Sequence, residues 1–140
     1  MTAHRFTRLY GALFAVALSL GLAAAAAHAD EKSESILEPK DGATVTSPFK
    51  VRFAAHGMTV HPATEVIEGT GHHHLLINHG PIGEGEVIPV DDTHLHYGKG
   101  QTEAEITLPP GKYRLTAQFA DGAHRSYGRM MADSINITVK

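Results

Sequence analysis

Apolar and polar residues alternate along several short segments of this chain. Between positions 49 and 55, apolar side chains occupy every second position, and the basic residues Lys50 and Arg52 lie between the first three of them. An alternation of period two is typical of a strand with one buried face. The same pattern recurs in residues 113–119 and 135–139. The predicted inward positions are Phe49, Val51, Phe53, Ala55, Tyr113, Leu115, Ala117, Phe119, Ile135, Ile137 and Val139.

Turn signals separate these segments, and clean helical periodicity is lacking. The turns are marked by Pro39-Lys40-Asp41-Gly42, Ser47-Pro48 and Pro109-Pro110-Gly111. Short strands at this spacing predict an all-β fold, an immunoglobulin-like antiparallel β-sandwich of about seven strands. Residues 36–140 are long enough for a single domain with one core.

The N-terminus is typical of a secretory signal. A basic start is followed by an uncharged apolar run from Leu9 to Ala27, which ends in the small-residue motif Ala27-His28-Ala29. We therefore predict a signal peptide over residues 1–29, a flexible tether over 30–35, and a protein located in the periplasm or secreted. The alternative is a retained membrane anchor, since the run is nearly long enough to span a bilayer.

Composition then removes several classes of function. Without residues 1–29, ten Lys and Arg remain against fifteen Asp and Glu, a formal charge of −5. A chain with this charge and no basic patch is not expected to bind nucleic acid. There is no cysteine, which excludes thiolate metal sites, a cysteine nucleophile and a blue-copper centre.

Six of the eleven histidines lie within residues 69–103, in segments that otherwise resemble buried strands. In "GTGHHHLLIN" an extended backbone places His72 and His74 on one side and His73 on the other. In "THLHYG" the same geometry places His94 and His96 on one face. Two imidazoles at positions i and i+2 can chelate one ion, and two such strands can supply three or four nitrogens.

The histidine strands therefore predict a transition-metal site. His124 follows the Asp121-Gly122 turn and can reach the same end of the sandwich, and Gln101 and Glu103 can hydrogen-bond the distal nitrogens of the ligands. The alternative is that the histidines are hydrogen-bonded core or surface residues, or sense pH. The candidate ligands are His72, His73, His74, His94, His96 and His124.

Copper is the expected metal, with zinc as the alternative. Copper is favoured by the Irving–Williams order and by the absence of thiolates. Met58, Met130 and Met131 add thioethers, which suit Cu(I), but methionine is also a common core filler.

These same segments resemble a bacterial family known as domain of unknown function 4399. The resemblance covers about Gly69 to Val139 and rests on "GTGHHHLLIN", on "IPVDDTHLHYGKGQTEAEITLPPGKYRLTAQFADGAH" and on "SINITV". It implies that the three histidines of the run, the two of His-Leu-His and His124 occupy the histidine positions of the family. It also implies an exported domain and leaves the chemistry open. After His124 the family has a histidine-proline turn, whereas this chain has "RSYG".

The sequence thus predicts a metal-binding protein for storage, delivery or sensing. No catalytic residue is predicted, because no general acid, base or substrate pocket is evident around the histidines. The alternatives are a metalloenzyme with an open copper or zinc position and a structural module of the cell envelope that binds no metal. The metal ion is the expected partner, without membrane attachment after cleavage of the signal.

Overall fold

The structure is a computed structural model that describes residues 31–140. Nine β-strands and one 3-10 helix form the regular secondary structure of this part of the chain. The strands are β1 (Ser33–Glu38), β2 (Thr44–Val45), β3 (Phe49–His56), β4 (Thr59–Val60), β5 (Thr70–Ile77), β6 (His94–Tyr97), β7 (Glu103–Ile106), β8 (Gly111–Ala120) and β9 (Ala132–Val139), and the helix is Arg129–Met131.

The smaller of the two sheets contains three antiparallel strands in the order β1-β3-β7. In β3, Phe49, Val51 and Phe53 are buried while Lys50 and Arg52 are exposed. The period-two alternation therefore forms one apolar face and one wet face, as predicted.

The larger sheet has the order β2-β9-β8-β5-β4, and β6 also pairs with β5. Strand β8 lies along one side of β5, whereas β4 and β6 share the other side. From Gly71 to Ile77 every residue of β5 is buried, because both faces of this central strand are covered. This explains why the histidine run looks like a buried strand in the sequence.

The core lies between the two sheets. It joins apolar side chains of β1, β3 and β7 with those of β5, β8 and β9. The members are Ile36, Phe49, Val51, Phe53, Leu75, Ile77, Ile106, Leu115, Ala117, Ile135, Ile137 and Val139. An all-β sandwich is therefore confirmed. Seven of the nine strands are longer than two residues.

The N-terminal boundary differs from the prediction. Residues 33–35 were expected to form a flexible tether, but they belong to β1, where Ser33 pairs with His56 and Ser35 with Ala54. The prediction was wrong because the polar sequence Ser33-Glu34-Ser35 hides a buried position, Glu34, which is only 4% exposed. The predicted signal peptide lies outside the described residues.

The outer face of the larger sheet carries loops at the β5 end. Leu76 and Ala120 pack there against Ile88, forming a second, smaller apolar cluster. The loop between β5 and β6 is held by Gln118, whose Oε1 accepts a hydrogen bond from the Ile82 backbone N–H at 3.0 Å. Among residues 31–140, no helix has the length and apolar character needed to cross a membrane.

Candidate metal centre

Two histidines of the run reach the outer face of the larger sheet. His72 and His74 project from the same side of β5, and both are fully buried. Their rings are 4.7 Å apart between centroids, and the two Nε2 atoms are 2.9 Å apart. The i, i+2 spacing thus brings two imidazole nitrogens to one point, as the sequence predicts.

Strand β6 supplies a third histidine. In the antiparallel pairing of β5 with β6, His96 is directly opposite His74, and their ring centroids lie 5.1 Å apart. The next residue but one, Gly98, has to be small, because a Cβ at this position would collide with the His96 ring. Gly98 therefore leaves room for the imidazole at the strand end.

The turn after β8 supplies the fourth. His124 adopts a left-handed backbone conformation with φ of 63°, which is uncommon for residues other than glycine. One carboxylate oxygen of Asp121 accepts the backbone N–H groups of Ala123 and Arg125 at 2.8 and 2.9 Å. This turn holds the His124 ring 4.7 Å from that of His96 and 5.1 Å from that of His72.

These four residues, His72, His74, His96 and His124, form what we call the histidine cluster. Each offers one nitrogen, and these nitrogens all lie within 4.8 Å of one another. Each member also has a buried ring nitrogen without a hydrogen-bond partner, Nδ1 in three of them and Nε2 in His96. Buried polar atoms normally have partners; in His72 and His74 the unpartnered atom is Nδ1, whereas their two Nε2 atoms are in hydrogen-bond contact with each other. The closeness of the four rings is therefore what would let them share one ion.

His73 does not belong to the cluster, which corrects its assignment as a ligand. It is on the opposite face of β5, stacked on Phe53 in the core with ring centroids 5.1 Å apart. Its Nδ1 is 2.6 Å from a carboxylate oxygen of Glu34, and both side chains are completely buried. Burial raises the pKa of Glu34 to about 7, although the hydrogen bond to His73 opposes this. His73 is therefore part of a buried polar pair that connects the two sheets.

His94 is also outside the cluster, although it shares a face with His96. It pairs with Leu76, two residues beyond His74 along β5. Its Nδ1 is 2.8 Å from a carboxylate oxygen of Asp91, and its ring stacks on His79 at 4.4 Å. The hydrogen bond from His94 is the main reason that the pKa of Asp91 falls to about 2. The structure thus places His94, predicted as a ligand, outside the four histidines whose nitrogens converge, because its ring is held by this local turn.

The two predicted supporting residues lie elsewhere. Gln101 uses its amide oxygen to accept the Lys99 backbone N–H at 2.7 Å. Glu103 is on the smaller sheet and forms an exposed ion pair with Lys50 at 3.4 Å. Within residues 31–140 neither side chain hydrogen-bonds a histidine. The residues that support the cluster are instead Gly98 and Asp121, and only the Asp121-Gly122 turn gave a signal in the sequence.

The environment keeps His72 and His74 uncharged. Burial, with a smaller contribution from the neighbouring histidines, lowers the pKa of His74 to about 2 and that of His72 to about 4. The pKa of His96 is also lowered, by burial and by His124. Neutral imidazoles have a free lone pair, so His72 and His74 present metal-binding nitrogens at neutral and mildly acidic pH.

The lowered pKa values make the stability of the metal-free protein sensitive to acid. An unfolded histidine takes up a proton near pH 6.5, whereas folded His74 does so only near pH 2. Below pH 6.5 the unfolded chain therefore binds more protons, and His74 lowers the free energy of unfolding by up to about 1.4 kcal/mol per pH unit. Urea unfolding at pH 7.5, 5.5 and 4.5 should show this loss in the wild type and a shallower one in His74→Gln.

The comparison with His74→Gln is needed because Glu34 acts in the opposite direction. Its raised pKa of about 7 stabilises the folded protein below pH 4.5, and this contribution is lost as the pH rises to 7. The difference between the two proteins cancels the effect of Glu34. Equal pH dependence in wild type and variant would contradict the burial of a neutral His74.

Family membership rests on a family model that matches residues 51–140 and is described as domain of unknown function (DUF4399). The chain belongs to the DUF4399 family. The resemblance seen in the sequence is thereby confirmed, and the match includes all four members of the histidine cluster. A comparison with curated proteins found no match.

Among solved structures, an endo-beta-1,4-mannanase from Thermotoga petrophila is similar to this DUF4399 protein. The two are 14% identical with a TM-score of 0.46, and the similarity covers 79% of this chain and 20% of the mannanase. The chain thus corresponds to about a fifth of the enzyme's length, and the likeness carries no argument about activity.

Proposed function

We propose that this protein binds one transition-metal ion, copper in preference to zinc, and serves in copper storage, delivery or sensing in the periplasm or outside the cell. The observation that supports this is the convergence of four imidazole nitrogens within 4.8 Å. They come from β5, β6 and the turn after β8, so the convergence depends on the fold and not on a local run of histidines.

The donor set favours copper. Imidazole is a good ligand for both Cu(II) and Zn(II), and Cu(II) binds more tightly in the Irving–Williams order. Nε2 of His72 and Nε2 of His74 are 2.9 Å apart, which is the distance of a hydrogen bond between two imidazoles. An ion taken up by these two nitrogens would replace that hydrogen bond.

The burial of the cluster suits a site that is loaded from solvent. His72 and His74 form a buried floor, whereas His96 and His124 are partly exposed. An ion can therefore reach the floor through the two outer histidines. A ligand of a partner protein can replace an outer histidine first, which is what metal delivery requires.

Purified protein without any tag is expected to bind one equivalent of Cu(II) with a Kd well below 1 µM and to prefer Cu(II) over Zn(II). Titration calorimetry with each metal, followed by metal analysis after gel filtration, measures both quantities. The reason for the preference is the Irving–Williams order acting on a set of imidazole nitrogens. Micromolar or weaker binding of both metals would refute a metal function, whereas tighter binding of zinc would refute the assignment to copper.

A further inference from the structure

The three methionines of the described residues share one pocket. The pocket has a volume of about 520 Å³ and lies at the end of the sandwich, where β1 begins, β3 turns into β4 and the 3-10 helix precedes β9. Met58 comes from the β3–β4 turn, and Met130 and Met131 come from the helix. Residues more than seventy positions apart in the chain thus line one cavity.

Core packing does not explain this arrangement. Met131 is 2% exposed and is a genuine core residue, but Met130 is 67% exposed and Met58 is partly exposed. An exposed methionine that lines a cavity buries little apolar surface, so the hydrophobic effect gives no reason for its position. A role in binding an ion through its thioether lone pair would give such a reason.

The charges around the pocket restrict what it can bind. Lys32 and Arg129 line it together with one carboxylate, Glu84. Two cations against one anion oppose any metal ion held by charge alone, and oppose a divalent ion most. A monovalent soft ion is held mainly by its bonds to sulfur, and thioethers select Cu(I) in this way.

We propose that Met58, Met130 and Met131 form a second metal site, specific for Cu(I) and separate from the histidine cluster. Methionine has three rotatable bonds, so the sulfurs can close around an ion that is much smaller than the cavity. The two sites are connected through Gln118, which is opposite His74 in the sheet and donates to the carbonyls of Gly128 and Met131 at 3.0 Å each. The proposal stands independently of metal binding by the histidines.

The test is a titration of the purified protein with Cu(I) under anaerobic conditions, with bathocuproine disulfonate as the competing chelator. The double variant Met58→Leu/Met130→Leu should bind Cu(I) at least about 10-fold more weakly than the wild type, because leucine keeps the apolar volume but removes two sulfur ligands. X-ray absorption of the Cu(I) form should show sulfur neighbours in the wild type and fewer in the variant. Cu(II) binding at the histidine cluster should be unchanged.

Two further variants separate the possible outcomes. His96→Ala/His124→Ala removes half of the histidine cluster and should retain Cu(I) binding with sulfur neighbours. Met130→Leu changes an exposed side chain and leaves the core intact, so it weakens Cu(I) binding without affecting folding. Equal Cu(I) affinity of the wild type and both methionine variants, or a Cu(I) spectrum with nitrogen neighbours alone, would overturn the proposal and leave the pocket as a site for an apolar molecule.

Discussion

Replacing His96 by alanine is expected to weaken Cu(II) binding at least about 100-fold, whereas His94→Ala should change it by less than about two-fold. Removal of a metal ligand costs at least as much affinity as loss of a residue that only orients one, for which 10- to 100-fold is common. His96 is opposite His74 and within the cluster. His94 is bound to Asp91 and stacked on His79. Calorimetric titration of both variants with Cu(II) gives the comparison.

The two variants are a closely matched pair. They remove the same side chain from the same face of the same four-residue strand, so nonspecific effects on β6 are shared. His74→Ala should behave like His96→Ala, since it also removes one nitrogen of the histidine cluster, the Nε2 that lies 2.9 Å from Nε2 of His72. If His94→Ala and His96→Ala weaken binding equally, the metal is not held by the four residues named here.

Glu34→Ala is expected to lower the free energy of unfolding by about 1–3 kcal/mol, the usual cost of leaving a buried hydrogen-bonding group without its partner. The reason is that His73 would lose the only hydrogen-bond partner that its ring has among residues 31–140, in a site completely closed to water. A polar ring without a partner in the core is costly in either protonation state. Urea unfolding of the metal-free protein at neutral pH measures the change.

Glu103→Ala provides the control for this prediction. The ion pair of Glu103 with Lys50 is more than half exposed at both side chains, and exposed pairs contribute less than about 1 kcal/mol. Both variants should still bind one equivalent of Cu(II), because neither residue is in the histidine cluster. A change below 1 kcal/mol for Glu34→Ala would show that the buried pair contributes little to the connection between the sheets.

Much of the fold could be predicted because alternation reports directly on burial. The inward positions Val51, Leu115 and Ile137 are all buried as expected. The start of β1 could not be predicted, since its inward residue Glu34 is charged and is buried only because His73 faces it from the other sheet. A contact between residues 39 positions apart leaves no local pattern in the sequence.

The candidate site was predictable in part for the same reason. The period of two correctly places His72 and His74 on one face of β5 and His73 on the other, but it does not say on which face the histidine cluster forms. It also places His94 and His96 on one face without giving the pairing of β6 with β5, and this pairing decides that only His96 reaches His74. His124 depends on a left-handed turn, which the Asp121-Gly122 sequence indicates only in outline.

Consecutive histidines of β5 face opposite sides, so an ion bound at the histidine cluster would have a role in strand alignment. A shift of β5 by one residue against β6 and β8 would turn His73 outward and place His72 and His74 beside Phe53 in the interior, since side chains alternate strictly along a strand. The four nitrogens would then no longer meet, and the misaligned chain would lose the cation. Metal uptake would therefore favour the one alignment of β5 with its neighbouring strands that brings the four nitrogens together. Leu75 and Leu76 distinguish the two alignments poorly, because they make both faces of β5 equally apolar.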